Sequence, residues 1–103
     1  MIKVSVLYPR TEASYFDIDY YCNKHIPMVL AMFAEACNGA SVEQAVESTS
    51  DTEQPFHAVG HLHFDSLEQF NEVFSSNQQA VMNDIPNYTN SQPVIQIGEV
   101  KIA

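Results

Sequence analysis

An α+β fold with elements in the order β-α-β-β-α-β is predicted for the 103-residue chain by three observations. Four stretches alternate apolar and polar residues with the period of two that a half-buried strand requires. Two other stretches carry apolar residues at the helical period, one after the first strand and one after the third. No connection is long enough to divide domains, so residues 1–103 form a single domain. This order is the split βαβ, or ferredoxin-like, pattern. Its simplest packing is one four-stranded antiparallel sheet with both helices on one face.

The first strand is read at residues 2–8 (IKVSVLY), where Ile2, Val4, Val6 and Tyr8 share one side and Lys3, Ser5 and Leu7 the other. Pro9 ends it. From Phe16 the period becomes helical: Phe16, Tyr20, Asn23, Pro27, Leu30 and Ala34 recur, with Ile26, Phe33 and Cys37 alongside. Asp17 and Asp19 suit the first turn, where carboxylates complement exposed N–H groups. Pro27 cannot donate to the Asn23 carbonyl, so the helix is expected to kink or restart there. Asn38-Gly39 is the expected stop.

Residues 40–48 alternate again, with Val42, Gln44 and Val46 opposite Ser41, Glu43 and Ala45, and Ser48–Pro55 reads as a polar loop. The third strand, Phe56–Phe64, sets Phe56, Ala58, Gly60, Leu62 and Phe64 against His57, Val59, His61 and His63. Asp65-Ser66 with Glu68-Gln69 reads as an N-cap and capping box for a helix with Leu67, Phe70, Val73 and Phe74 as its stripe. A second helical piece is expected at Asn77–Asn83, then a loop over Ile85–Pro93. Residues 94–102 form the last strand, with a phase slip at Gly98-Glu99 that predicts a β-bulge.

Four Lys and Arg against 13 Asp and Glu give a formal charge of −9. Lys3, Arg10, Lys24 and Lys101 are scattered, which excludes the clustered cations a nucleic-acid binder needs and argues against anionic membrane surfaces. Residues 1–9 lack the pattern of a signal peptide. The apolar run Ile26–Cys37 falls short of the ~20 residues that span a bilayer. Cys22 and Cys37, read on one helical segment, would stand roughly 22 Å apart and form no disulfide. Free, mostly buried thiols in a reducing cytoplasm are expected.

Two helices cover only one face of such a sheet. The other face would carry His57, Val59, His61 and His63 with Lys3, Ser5 and Leu7. Covered by the same face of a second copy, it would close a mixed cavity suited to a small molecule. Histidine gives or takes a proton near neutral pH. Tyr21 and His25, four apart, are helix neighbours. His61 and His63 stand side by side on a strand, but no third ligand lies nearby in sequence, so no metal is expected. No phosphate loop or nucleophile–base motif appears, and no cofactor is expected.

The opening MIKVSVLYPR, the segment FDIDYYCNKHIPMV at 16–29 and PFHAVGHLHFDSLEQF at 55–70 together resemble the EthD-like family, named for ethyl tert-butyl ether degradation. The most specific block is F-D-x-x-Y-Y-x-x-K-H-x-P, carried by Phe16, Asp17, Tyr20, Tyr21, Lys24, His25 and Pro27. The resemblance implies a homodimer, the dimeric α+β barrel, in which two sheets pack face to face. It also implies a setting beside ether-degrading monooxygenases, with His25 as a signature position and Tyr20 and Tyr21 as companions. Relatives on this barrel include cyclases, isomerases, cofactor-independent monooxygenases and haem-degrading enzymes, so the fold does not fix a reaction.

Two readings stand. In the first, a small hydrophobic oxygenated molecule undergoes cofactor-free lyase, cyclase, isomerase or monooxygenase chemistry. His25 or His61 moves protons, Tyr20 or Tyr21 polarises a carbonyl, and His57, His63, Ser5 and Val59 bind the ligand. In the second, the protein is a non-catalytic accessory or small-molecule binder beside an oxidative degradation system.

Overall fold

The computed structural model describes residues 1–47 and 53–103; of the expected loop Ser48–Pro55, residues 48–52 lie outside the described residues. Four strands, β1 (Ile2–Pro9), β2 (Cys37–Gln44), β3 (Phe56–Phe64) and β4 (Val94–Glu99), form one antiparallel sheet in the order β2-β3-β1-β4. Helices α2 (Ile26–Phe33) and α3 (Leu67–Asp84) pack on one face, which gives the ferredoxin-like arrangement.

The alternation in β1 and β3 decides which face is buried. Val4, Ala58, Leu62 and Phe64 are buried together with Val29 and Phe33 of α2 and Phe70 of α3. Each of the Val, Leu and Phe side chains among them contributes about 1.5–3 kcal/mol when removed from water. At the other end of the same face an aromatic cluster forms from Tyr8, Tyr21 and Tyr88, all no more than 2 % exposed, with Phe16 packed among them.

The first helical segment differs from its sequence reading. It begins with a short turn, α1 (Ile18–Tyr20), capped by the Asp17 carboxylate, which accepts from the Tyr20 N–H. A π-turn over Tyr21–His25 follows, in which the Ile26 N–H bonds to the Tyr21 carbonyl. Pro27 then falls in the first turn of α2, where its missing N–H costs least. The buried stripe is Tyr21, His25, Val29 and Phe33, not the stripe through Asn23, Pro27 and Ala34, which are exposed. A four-residue spacing drifts about 40° per step on an α-helix. The wider π-turn absorbs part of that drift and keeps the Tyr21 ring stacked on His25.

The helix ends at Phe33, before the expected Asn38-Gly39 stop. Ala34 takes φ 48°, a conformation that strains a residue with a Cβ, and a short 3₁₀ turn, Ala34–Ala36, leads into β2. Cys37 therefore lies on β2 and not on the helix, so the helical spacing from Cys22 does not apply. Both cysteines are free, and Cys22 is exposed, contrary to the expectation of burial.

The expected two-piece second helix is one helix. Ser75, Ser76 and Asn77 donate back to the carbonyls of Asn71, Glu72 and Val73, so the polar stretch continues the helix. Ser66 caps its start by accepting from the Gln69 N–H. No bulge occurs at Gly98-Glu99. The pairs Lys3–Gly98 and Ile2–Glu99 are in regular register, and β4 ends at Glu99. The irregularities lie instead between Tyr8 and Pro9 and between Cys37 and Gly39. No helix is long and apolar enough to cross a membrane among the described residues.

Candidate functional site

The two helices leave a cavity against the sheet. Its walls are apolar (Val4, Val29, Leu62, Phe70 and Val81 among them), and its head carries His25, Tyr21 and Tyr8. The enclosed space measures about 60 Å³, small beside the roughly 300–1,000 Å³ of pockets that hold drug-sized ligands. One side is loosely closed. Met82, Ile85 and Pro93 line both the cavity and an outer groove, and Ile95 of β4, which also lines the cavity, is 45 % exposed. Admitting a ligand requires these side chains to move.

His25 is the polar centre of the head. It is 4 % exposed, and its Nδ1 lies 2.8 Å from Asp84 Oδ2 at the end of α3. The other carboxylate oxygen accepts from the Tyr20 hydroxyl at 2.7 Å and from Asn87 Nδ2 at 2.9 Å. Burial pushes the Asp84 carboxyl up, but the donors Asn87, Tyr20 and His25 outweigh it, and the group stays below the usual carboxylate range. For His25, burial lowers the pKa below that of ordinary histidine and outweighs the upward pull of Asp84. Asp84 is thus an ionised, acceptor-only partner, and the proton of the neutral imidazole belongs on Nδ1. Nε2 is left bare, with the Tyr88 hydroxyl 3.4 Å away. A neutral imidazole oriented by a carboxylate, lining an apolar cavity and with its unprotonated nitrogen beside a hydroxyl, is the geometry of a general base.

Two mutually packed aromatic rings hold this imidazole. Tyr21 stacks on it at 5.5 Å between ring centroids, and Tyr88 packs at 4.7 Å. The Tyr8 and Tyr88 hydroxyls are 2.7 Å apart. Burial pushes all three tyrosines far up, so each stays protonated. Gly60 of β3 makes room for this arrangement, because a Cβ there would overlap the Tyr21 hydroxyl.

The residues proposed from sequence divide between the two faces of the sheet. His25, Tyr21 and Tyr20 belong to the helix face, whereas Ser5, Val59, His61 and His63 lie on the uncovered face. A single cavity shared by His25 and His61 is therefore not what the fold provides, since the sheet separates them. His61 bridges Ser5 Oγ at 2.9 Å and Glu43 Oε1 at 2.7 Å. His63 Nε2 is buried without a hydrogen-bond partner among the described residues. His57 is taken up by the connecting loop, with Nε2 2.7 Å from Ser14 Oγ and its ring stacked on Phe16. No group of three His, Cys, Asp or Glu side chains converges as for a metal ion among the described residues. Sequence reasoning missed Asp84 and Tyr88 as site members, and it read Tyr8 only as a strand residue. The one available signal was that Asp84 and Asn87 flank the proline-marked end of the second helix.

The EthD domain model matches residues 11–92. An EthD-like protein from Ralstonia eutropha is 40 % identical, with a TM-score of 0.92 over 98 % of this chain and 92 % of that one. An ethyl tert-butyl ether degradation family protein from Bacillus halodurans is 17 % identical, with a TM-score of 0.67 over 97 % and 98 %. A variant of SnoaB, a cofactor-independent oxygenase from Streptomyces nogalater, is 8 % identical, with a TM-score of 0.62 over 99 % and 93 %, a likeness of fold alone. Among curated proteins no match is found.

Proposed function

This chain belongs to the EthD domain family, and we propose that it binds a small, hydrophobic, oxygenated molecule between its sheet and helices and acts there as a cofactor-free acid–base catalyst. The observation that carries the reading is the His25–Asp84 pair at the head of an otherwise apolar cavity. His25 is the proposed proton acceptor and Asp84 its positioning partner. Tyr8 and Tyr21 are the proposed hydroxyls beside the ligand, and Tyr20 holds the carboxylate. A ligand of this class is in keeping with the ether for which the Bacillus halodurans relative is named. Two unpaired thiols suit a reducing cytoplasm.

Titration of the ¹⁵N-labelled protein with 2-naphthol tests the reading. Signals of His25 and Tyr21 should shift and Tm should rise, since a ligand bound only by the folded state stabilises it. Shifts confined to His61 and His63, on the other face, would contradict it. Binding that perturbs His25 while no tested compound is turned over would favour the accessory role.

The uncovered sheet face supports a homodimer. On that face the register aligns Val59, Leu7 and Val94 in one apolar row, with the polar row His61–Ser5–Gln96 beside it and His63–Lys3–Gly98 beyond. An apolar row flanked by hydrogen-bonding side chains such as His61, Ser5 and Gln96 suits a second copy better than water. Light scattering is expected to give twice the chain mass for the wild type and the single-chain mass for Val59→Glu. A monomeric wild type would remove this part of the reading.

A further inference from the structure

The head of the cavity presents two different chemical functions next to each other. His25 Nε2 is an acceptor without a proton, held by the Nδ1–Asp84 bond of 2.8 Å. The Tyr8–Tyr88 pair, its hydroxyls 2.7 Å apart and the Tyr88 oxygen 3.4 Å from Nε2, is a neutral donor. Among the described residues, no Lys or Arg lines the cavity. A carboxylate or phosphate group on a ligand would therefore be buried without a counter-charge, which costs far more than an apolar wall returns. The 3.4 Å separation is long for a hydrogen bond, so a ligand oxygen entering beside Tyr88 displaces little.

A base beside a neutral donor matches two neighbouring atoms of one ligand, an acidic C–H and the carbonyl oxygen next to it. Resting on the function proposed above, we propose that the site takes an uncharged ketone and exchanges or relocates the proton on the carbon beside its carbonyl. His25 Nε2 removes the proton as the C–H bond breaks. The electron pair moves into the new C=C bond, and the carbonyl π pair moves onto oxygen. The Tyr8 hydroxyl, braced by Tyr88, donates to that enolate oxygen. Return of the proton from Nε2 to carbon restores the ketone or its isomer, so atoms and charge balance without an oxidant or a metal. Donors aimed at developing oxygen charge are worth most in a water-poor site such as this one.

The test follows exchange of the 2-tetralone C1 protons in D₂O by ¹H NMR, with 2-naphthol binding as the parallel measure of the cavity itself. Wild-type protein should accelerate the exchange above the buffer rate. Tyr8→Phe should lower that acceleration about 100-fold with 2-tetralone affinity nearly unchanged. Tyr88→Phe, which leaves Tyr8 in place, should lower it less, and it serves as the reporter should Tyr8→Phe not fold. 2-Naphthoate should not compete. Binding of 2-naphthol without exchange of 2-tetralone overturns this inference and leaves the proposed function standing, as does competition by 2-naphthoate. If neither 2-naphthol nor 2-tetralone binds, the function proposed above fails and this inference with it.

Discussion

Substituting His25 by Asn is expected to lower proton transfer to and from a bound ketone by about 10²–10⁴-fold, the usual contribution of a positioned base. Asn can still donate to Asp84 from the place of Nδ1, so the carboxylate keeps its third donor beside Tyr20 and Asn87. What disappears is Nε2. Circular dichroism and 2-naphthol binding should therefore change little while exchange collapses. Asp84→Asn separates the positioning role from the base itself. A charge-assisted hydrogen bond contributes about 1.5–3 kcal/mol, or roughly 10- to 150-fold in rate. Removing the negative charge also removes the pull that raises the His25 pKa, so the midpoint of the pH–rate profile should move to lower pH. A rate loss with an unmoved midpoint would mean that Asp84 acts only through packing.

Gly60→Ala is expected to be the most damaging small change to the fold. The added methyl overlaps the Tyr21 hydroxyl, and Tyr21 is fixed by Tyr8 and Phe16 on one side and by the π-turn on the other. Overpacking a closed core costs about 1–3 kcal/mol, which for a domain of this size lowers Tm by roughly 4–20 °C. The same displacement carries the His25 ring with it, because the two rings stack. Activity should therefore fall in the folded fraction as well, measured well below the new Tm. A Gly60→Ala protein with wild-type Tm would show that Tyr21 has room to retreat and that the head of the cavity is softer than the packing implies.

What was legible in the sequence was the part written locally. The alternation of β1 and β3 and the Ser66 cap each rest on neighbours within a few residues, and all three are found. The end of the first helix was not legible, because Ala34 takes its positive φ without the glycine that usually marks such a stop. The π-turn was equally hidden. It changes which of the residues 16–34 are buried, and only its packing reveals it. Ser75, Ser76 and Asn77 looked like a break, but their side chains bond back onto the helix.

The site shows the same division. His25 and Tyr21 stood out through their spacing and through the resemblance that surrounds them. Asp84 lies 59 residues away, and Tyr88 63 residues away, from His25. No local pattern connects these residues; the return of α3 across the sheet brings them together. The strand histidines were conspicuous as a group, but alternation places His61 and His63 on the face away from the helices, where His61 is held by Ser5 and Glu43.

The proposed chemistry rests on one protonation state: a neutral His25 carrying its proton on Nδ1 and leaving Nε2 bare. Its folded pKa lies below the 6.5 of an ordinary histidine. Folding therefore favours the neutral ring, and the stability this contributes is present above 6.5 and lost as pH falls through the lower, folded value. Long-range ¹H–¹⁵N correlation of the imidazole across a pH titration reads tautomer and pKa together. The Nδ1–H form at pH 7 and a midpoint below 6.5 are expected, with Asp84, Tyr8, Tyr21 and Tyr88 as the ionisable groups near the ring. An Nε2–H ring, or an imidazolium persisting at pH 7, would contradict it.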